Sequence, residues 1–217
     1  MGPTRRSSSR SGGPTSECRN AEDATHIRPP PASRVVTRYV AFLRGINLGN
    51  RRVKMADLRR EVGDLELANV GTFIASGNVV FDHEEPEAPD LSRLERRMEE
   101  HLEDRLGFFT DTMIRRLTDV GTLTELEMVR NAEEEGLNVY ATFTKGPLTE
   151  EIRKALTALE TPDDRFGFLE REVLWLRRGG VSDSTVETRH LEKAFGGMPN
   201  TRRRVTTLRR MIDKFGS

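Results

Sequence analysis

Tyr39-Val40-Ala41-Phe42-Leu43 is an unbroken apolar run, and Arg44-Gly45 closes it. Neither set of alternating side chains in such a run meets water, so it reads as a strand covered on both faces. Beyond a basic loop, Arg51-Arg52-Val53-Lys54, the residues Met55, Leu58, Val62 and Leu65 recur at steps of three and four and predict an amphipathic helix. Val70 to Ala75 and Val79 to Phe81 are rich in β-branched and aromatic residues, with Ser76-Gly77-Asn78 between them as a hairpin connection. A Pro- and acid-rich loop, Asp82 to Asp90, precedes Leu91, Leu94, Met98, Leu102 and Leu106 at helical spacing, and Gly107 ends that helix. Phe108 to Leu117 predicts a further strand.

The second half repeats this order. Thr118 to Asn131 predicts a linking helix, Leu137 to Thr144 a strand, and Thr149 caps a helix carrying Ile152, Leu156 and Leu159. Phe166 to Leu169 and Val173 to Arg177 form a hairpin around Glu170-Arg171-Glu172. Ser184 to Phe195 is a helix stopped by Gly196-Gly197 and Pro199, Thr201 to Val205 a last short strand, and Leu208, Met211, Ile212 and Phe215 a final helix. Each βαββαβ run predicts a four-stranded antiparallel sheet with two helices on one face. The expected class is therefore α+β, two tandem ferredoxin-like subdomains with an additional C-terminal helix. Residues 1–37 are expected to be a disordered tail, 38–117 the first subdomain, and 118–217 the linking helix, second subdomain and C-terminal helix. No residue repeat joins the halves, so the duplication rests on element order alone.

Composition bounds the rest. Only 35% of the 217 residues are apolar, and part of that deficit sits in the first 37, where Ser, Gly and Pro leave little to bury. The tail is basic, with Arg5, Arg6, Arg10, Arg19, Arg28 and Arg34 against Glu17, Glu22 and Asp23. Cys18, the single cysteine, lies in it, which excludes an intrachain disulfide or a thiolate metal site. No apolar run approaches the roughly 18 to 20 residues of a membrane span, and no secretory apolar stretch opens the chain, so a cytoplasmic protein without membrane contact is expected.

Two Gly/Asn-punctuated segments, Arg44-Gly45-Ile46-Asn47-Leu48-Gly49-Asn50 and Ser76-Gly77-Asn78, each abut a strand. Arg44, Asn47, Ser76 and Asn78 would project donors into one polar site. The plain alternative is that they only shape turns. The first segment is not a phosphate loop, since GxxxxGK[ST] and GxGxxG are both absent. His26, His83, His101 and His190 are scattered; Glu99 and Glu103 beside His101 read as solvated surface charges, so neither metal nor cofactor is expected. No nucleophile and base pair is evident. Arg202, Arg203, Arg204, Arg209, Arg210 and Lys214 against Asp213 form a basic C-terminal stretch, a footprint for nucleic acid. The stacking aromatics of RNA-binding sheets are missing from Asn78-Val79-Val80-Phe81-Asp82.

Read together, Leu43 to Gly49, Met55-Ala56-Asp57-Leu58, and Phe73 to Phe81 resemble the bacterial family called domain of unknown function 1697. Leu191-Glu192-Lys193-Ala194-Phe195-Gly196 is similar to that family's late helix, and the resemblance spans roughly Arg38 to Phe215. It implies two ferredoxin-like subdomains and a family without an established activity. One departure concerns the site. A Thr-x-Arg-Asn-Trp-Asn-Thr type segment is typical before the last helix, and here Thr201-Arg202 continues as Arg203-Arg204-Val205-Thr206. Arg203 and Arg204 are thus candidate anion contacts. Ala75 likewise replaces a Gln.

The expected function is binding of a small polar or anionic ligand through Arg44, Asn47, Ser76 and Asn78. The alternatives are an enzyme acting on a small phosphorylated or carboxylated metabolite, with Asp57 or Asp82 as its acid or base, and nucleic-acid contact through the C-terminal stretch.

Overall fold

The computed structural model describes residues 35–85, 90–180, 186 and 188–216. The tail expected over 1–37 falls almost wholly outside them, as does Cys18. Among the described residues the fold is mixed α+β, with two four-stranded antiparallel sheets and seven helices. The first sheet has β1 (Val35–Leu43), β2 (Ala68–Phe73), β3 (Asn78–Glu85) and β4 (Thr112–Arg116) in the order β2-β3-β1-β4. The second has β5 (Asn138–Thr144), β6 (Asp164–Phe168), β7 (Glu172–Arg177) and β8 (Asn200–Arg204) in the order β6-β7-β5-β8. Between them run α1 (Met55–Gly63), α2 (Leu91–Leu106), α3 (Leu117–Thr124), α4 (Glu127–Glu134), α5 (Glu150–Thr157), α6 (Thr188–Ala194) and α7 (Val205–Phe215).

The unbroken apolar run of β1 divides by alternation. Tyr39, Ala41 and Leu43 pack with Val79, Phe81 and Ile114 against Leu58 and Val62 of α1 and Leu94, Met98 and Leu102 of α2. Val40 and Phe42 turn the other way, toward Val139, Ala141 and Phe143 of β5 and Leu174 and Leu176 of β7. The two sheets therefore meet face to face, with the Phe42 and Phe143 rings stacked 4.0 Å apart between centroids. On the far face of the second sheet, Val173 and Trp175 cover Ile152, Leu156, Leu191 and Phe195. Apolar runs arise here because both faces are covered, although every strand pair is antiparallel. α7 returns to the first half: Phe215 meets Phe73 edge-on at 6.4 Å between centroids, and Arg38 Nη1 donates to the Phe215 carbonyl at 2.6 Å.

Several boundaries differ from expectation, each for a local reason. β1 begins at Val35 rather than Tyr39, paired along β3. β2 ends at Phe73, because Ile74 takes the left-handed region (φ 50) and starts the turn two residues early. The predicted linking helix is two helices, broken where Glu125 closes α3 and Leu126 opens α4. β4 starts only at Thr112, since Gly107 (φ 76) ends α2 and residues 108–111 form a loop.

Candidate functional site at the strand-end junction

Hydrogen bonds bring both sequence-nominated segments to one end of the first sheet. Asn47 Nδ2 donates to the Val53 carbonyl at 3.2 Å and to that of Ala75 at 3.0 Å, while its Oδ1 accepts from the Val53 N–H at 2.7 Å. Its amide thereby ties the 44–54 loop to itself and to the β2–β3 turn. Gly77 sits at φ 75, and a Cβ there would lie 2.6 Å from Ile46 Cγ2, so the two segments approach as closely as they do only with glycine. Asn78 is buried, and its Nδ2 donates to Ser76 Oγ at 2.9 Å and to the Phe73 carbonyl at 3.0 Å.

Arg203 completes this arrangement from the second half. Alternation along β8 turns Thr201 and Arg203 inward, and the Arg203 guanidinium lies 5.6 Å from the centre of the Phe42 ring. All five of its N–H groups have acceptors. Nε donates to Asn78 Oδ1 at 2.6 Å. Nη1 donates to Thr201 Oγ1 at 2.7 Å and the Arg202 carbonyl at 2.8 Å, and Nη2 to the carbonyls of Leu43 at 3.0 Å and Ser76 at 2.8 Å. None of these acceptors is a carboxylate. Burial pulls this guanidinium down to about 10, which still leaves it charged at neutral pH. The nominated residues Asn47, Ser76, Asn78 and Arg203 thus form an internally satisfied lock, with no donor of Arg203 left over.

Arg44 faces outward. Its backbone is pinned, N–H to the Asp111 carbonyl at 2.9 Å and carbonyl to Thr110 Oγ1 at 2.8 Å, whereas its side chain is 47% exposed. Asp111 Oδ2 lies 3.5 Å from its Nη1. Arg204 leaves the junction on the other face of β8 and donates to Asn138 Oδ1. Asp57 pairs with Arg60 at 3.1 Å. Asp82 pairs with Arg38 at 2.7 Å and accepts from Asn69 at 2.8 Å, and chiefly the Arg38 hydrogen bonds hold its carboxyl below the usual range.

A second polar cluster links the halves, and the sequence reading missed it. Glu99 of α2, expected on a hydrated surface, is buried, and so is Glu95 one turn before it. Glu95 Oε1 accepts from the Ile114 N–H at 2.8 Å and from Arg171 Nη2 at 3.2 Å, and its Oε2 is 3.3 Å from Lys145 Nζ. Glu99 Oε1 accepts from the Thr112 N–H at 2.7 Å and from Lys145. Arg115 pairs with Glu172 and donates to the Thr144 carbonyl at 2.9 Å, and burial lowers its pKa. The sequence did hold a signal: Glu95 and Glu99 directly follow Leu94 and Met98 on the apolar stripe of α2.

The C-terminal charges are mostly engaged at home. Arg209 bridges to Glu133 at 2.7 Å and Glu125 at 3.2 Å, and Arg202 lies over the Trp175 ring at 4.6 Å. Among the described residues one carboxylate and imidazole group has metal-like spacing, Glu61, Asp64 and His101. Arg105, at 2.6 Å, and Arg60, at 3.0 Å, already occupy both oxygens of Glu61, whose pKa they lower. No helix among the described residues is long and apolar enough to cross a membrane. A cavity of about 440 Å³ lies apart from the junction, between α3 and the β6–β7 turn.

An α+β protein with face-to-face sheets and a Gly/Asn-locked strand end defines the class. The profile described as protein of unknown function (DUF1697) matches residues 36–174, and the chain belongs to that family. Among solved structures it is similar to the conserved bacterial protein SP0830 from Streptococcus pneumoniae, at 22% identity and a TM-score of 0.66, over 84% of this chain and 100% of that one. That likeness is one of fold. No curated protein matches the chain.

Proposed function

We propose that the protein is a cytoplasmic binding protein, built of two ferredoxin-like subdomains, that holds a small anionic ligand without turnover at the loops ending its first sheet. The strand orders β2-β3-β1-β4 and β6-β7-β5-β8 support the architecture. Arg44 carries the ligand assignment: an exposed guanidinium 3.5 Å from Asp111, on a backbone that Thr110 and Asp111 hold, in a loop that Asn47 ties together. A backbone so pinned leaves only the side chain to be ordered on binding. Residues 44–54 also carry Arg51, Arg52 and Lys54 and no acid, which concentrates anions at this end. Ile74, β-branched and 45% exposed at φ 50, is a strained point on the adjoining turn. Asp57 and Asp82 have partners elsewhere, which favours binding over acid and base chemistry.

A thermal-shift screen of nucleotides, phosphosugars and acidic metabolites tests this. A stabilising anion is expected whose affinity falls about tenfold or more in Arg44→Ala. The unliganded variant should lose no more than about 1 kcal/mol, as befits an exposed pair. A hit that survives Arg44→Ala unchanged, or an empty screen, removes the basis of the assignment.

A further inference from the structure

We propose that the cavity between α3 and the β6–β7 turn is a binding site for a zwitterionic amino acid with an apolar side chain. Its volume of about 440 Å³ falls within the range of small-molecule pockets. The wall is apolar, with Val120 and Leu123 from α3, Phe143 from β5 and Leu169 from the turn. Such a wall takes a hydrocarbon side chain and little else.

Charge on the same lining selects the head group. Arg171 spends both Nη2 hydrogens on Glu95 Oε1, at 3.2 Å, and the Lys145 carbonyl, at 2.6 Å. Its Nε is buried without an acceptor, and Nη1 has none among the described residues. The side chain is 20% exposed, so the edge carrying Nη1, rather than the enclosed Nε, is what it offers to a ligand, and a carboxylate is the acceptor that matches it. Glu172 gives one oxygen to Arg115, and Glu170 and Asp119 stand exposed beside it. The lining therefore holds two cations, Arg115 and Arg171, against three anions, Asp119, Glu170 and Glu172. A bare carboxylate would enter a mouth of net charge −1, and a bare amine would add nothing to Arg171 beyond Glu95. An α-amino acid meets both, carboxylate to Arg171 and ammonium to the acidic side, with its side chain on the wall.

Isothermal titration calorimetry on the full chain tests the site with leucine, phenylalanine, 4-methylvalerate and isoamylamine. Leucine or phenylalanine should bind, and each single-charge analogue should bind about tenfold more weakly or worse. Arg171→Met should weaken amino-acid binding by about tenfold or more. Leu169→Trp, which fills the cavity from a partly buried wall position, should abolish it while the melting curve stays cooperative. Leu126→Trp serves the same purpose if that variant does not fold. Binding here should survive Arg44→Ala. The proposal falls if neither amino acid gives heat at about 10 mM, where even a millimolar complex is mostly formed. It also falls if the analogues bind equally well, or if folded cavity-filled protein binds as wild type does.

Discussion

The two polar links between the halves solve the same burial problem by opposite means. At the strand-end junction one guanidinium meets only neutral acceptors, every donor is used, and Asn78 is the single side-chain amide it touches. In the α2 cluster, Glu95, Glu99, Lys145, Arg115, Arg171 and Glu172 balance charge against charge, and Glu95 Oε2 and Arg171 Nε remain without hydrogen bonds. Full satisfaction makes a rigid joint, whereas charge balance with leftover donors makes a joint that can still accept something. The cavity adjoins the second kind.

Breaking the satisfied joint should cost most. Arg203→Met leaves Asn78 Oδ1 and the carbonyls of Leu43 and Ser76 without their partner, and a loss of about 3 to 5 kcal/mol is expected in urea unfolding. The double variant with Asn78→Leu should lose less than the sum of the two single changes, because both remove the same Arg203–Asn78 hydrogen bond. If Arg203→Met costs as little as an exposed arginine would, the junction is not a lock. Glu95→Gln, which unbalances Lys145 and Arg171, should cost about 2 to 4 kcal/mol in the same measurement. A larger loss there than at Arg203 would reverse the ranking of the two joints.

The smallest effect concerns a third tie, Arg38 with Asp82. The native Asp82 pKa lies below its unfolded value, so its contribution is present above about pH 4 and drains away as pH falls through the native pKa. Asp82→Asn should flatten that part of the stability profile and leave the slope above pH 5 unchanged. An unaltered acid limb would show that another carboxylate sets it.

Much of the architecture was legible because periodicity reports burial. Tyr39 to Leu43 announced a strand covered twice and the stripe of α2 fell where it was expected, while the expected hairpin formed with its turn at 74–77, so that Asn78 opens β3. What covers the strands was not legible: Val40 and Phe42 look the same in sequence whether they meet helices or a second sheet. The junction was half legible. Asn47 and Asn78 marked its place, but Arg203 read, with Arg204, as a candidate anion contact rather than a buried joint, since its burial depends on a partner 125 residues away. Only the alternation of Thr201, Arg203 and Val205 hinted that it turns inward. Glu95 and Glu99 were missed because glutamates interleaved with arginines on a helix ordinarily face water.

The Arg203 contact has a consequence for synthesis. During translation the loops after β1 and β2 emerge long before β8, and their amide and carbonyl groups await a guanidinium 125 to 160 residues downstream. The Ser76–Asn78 end of the first sheet therefore completes its hydrogen bonding only when the last strand arrives. A chain lacking β8 leaves Asn78 Oδ1 and the Leu43 and Ser76 carbonyls without this guanidinium, however well the first sheet has formed.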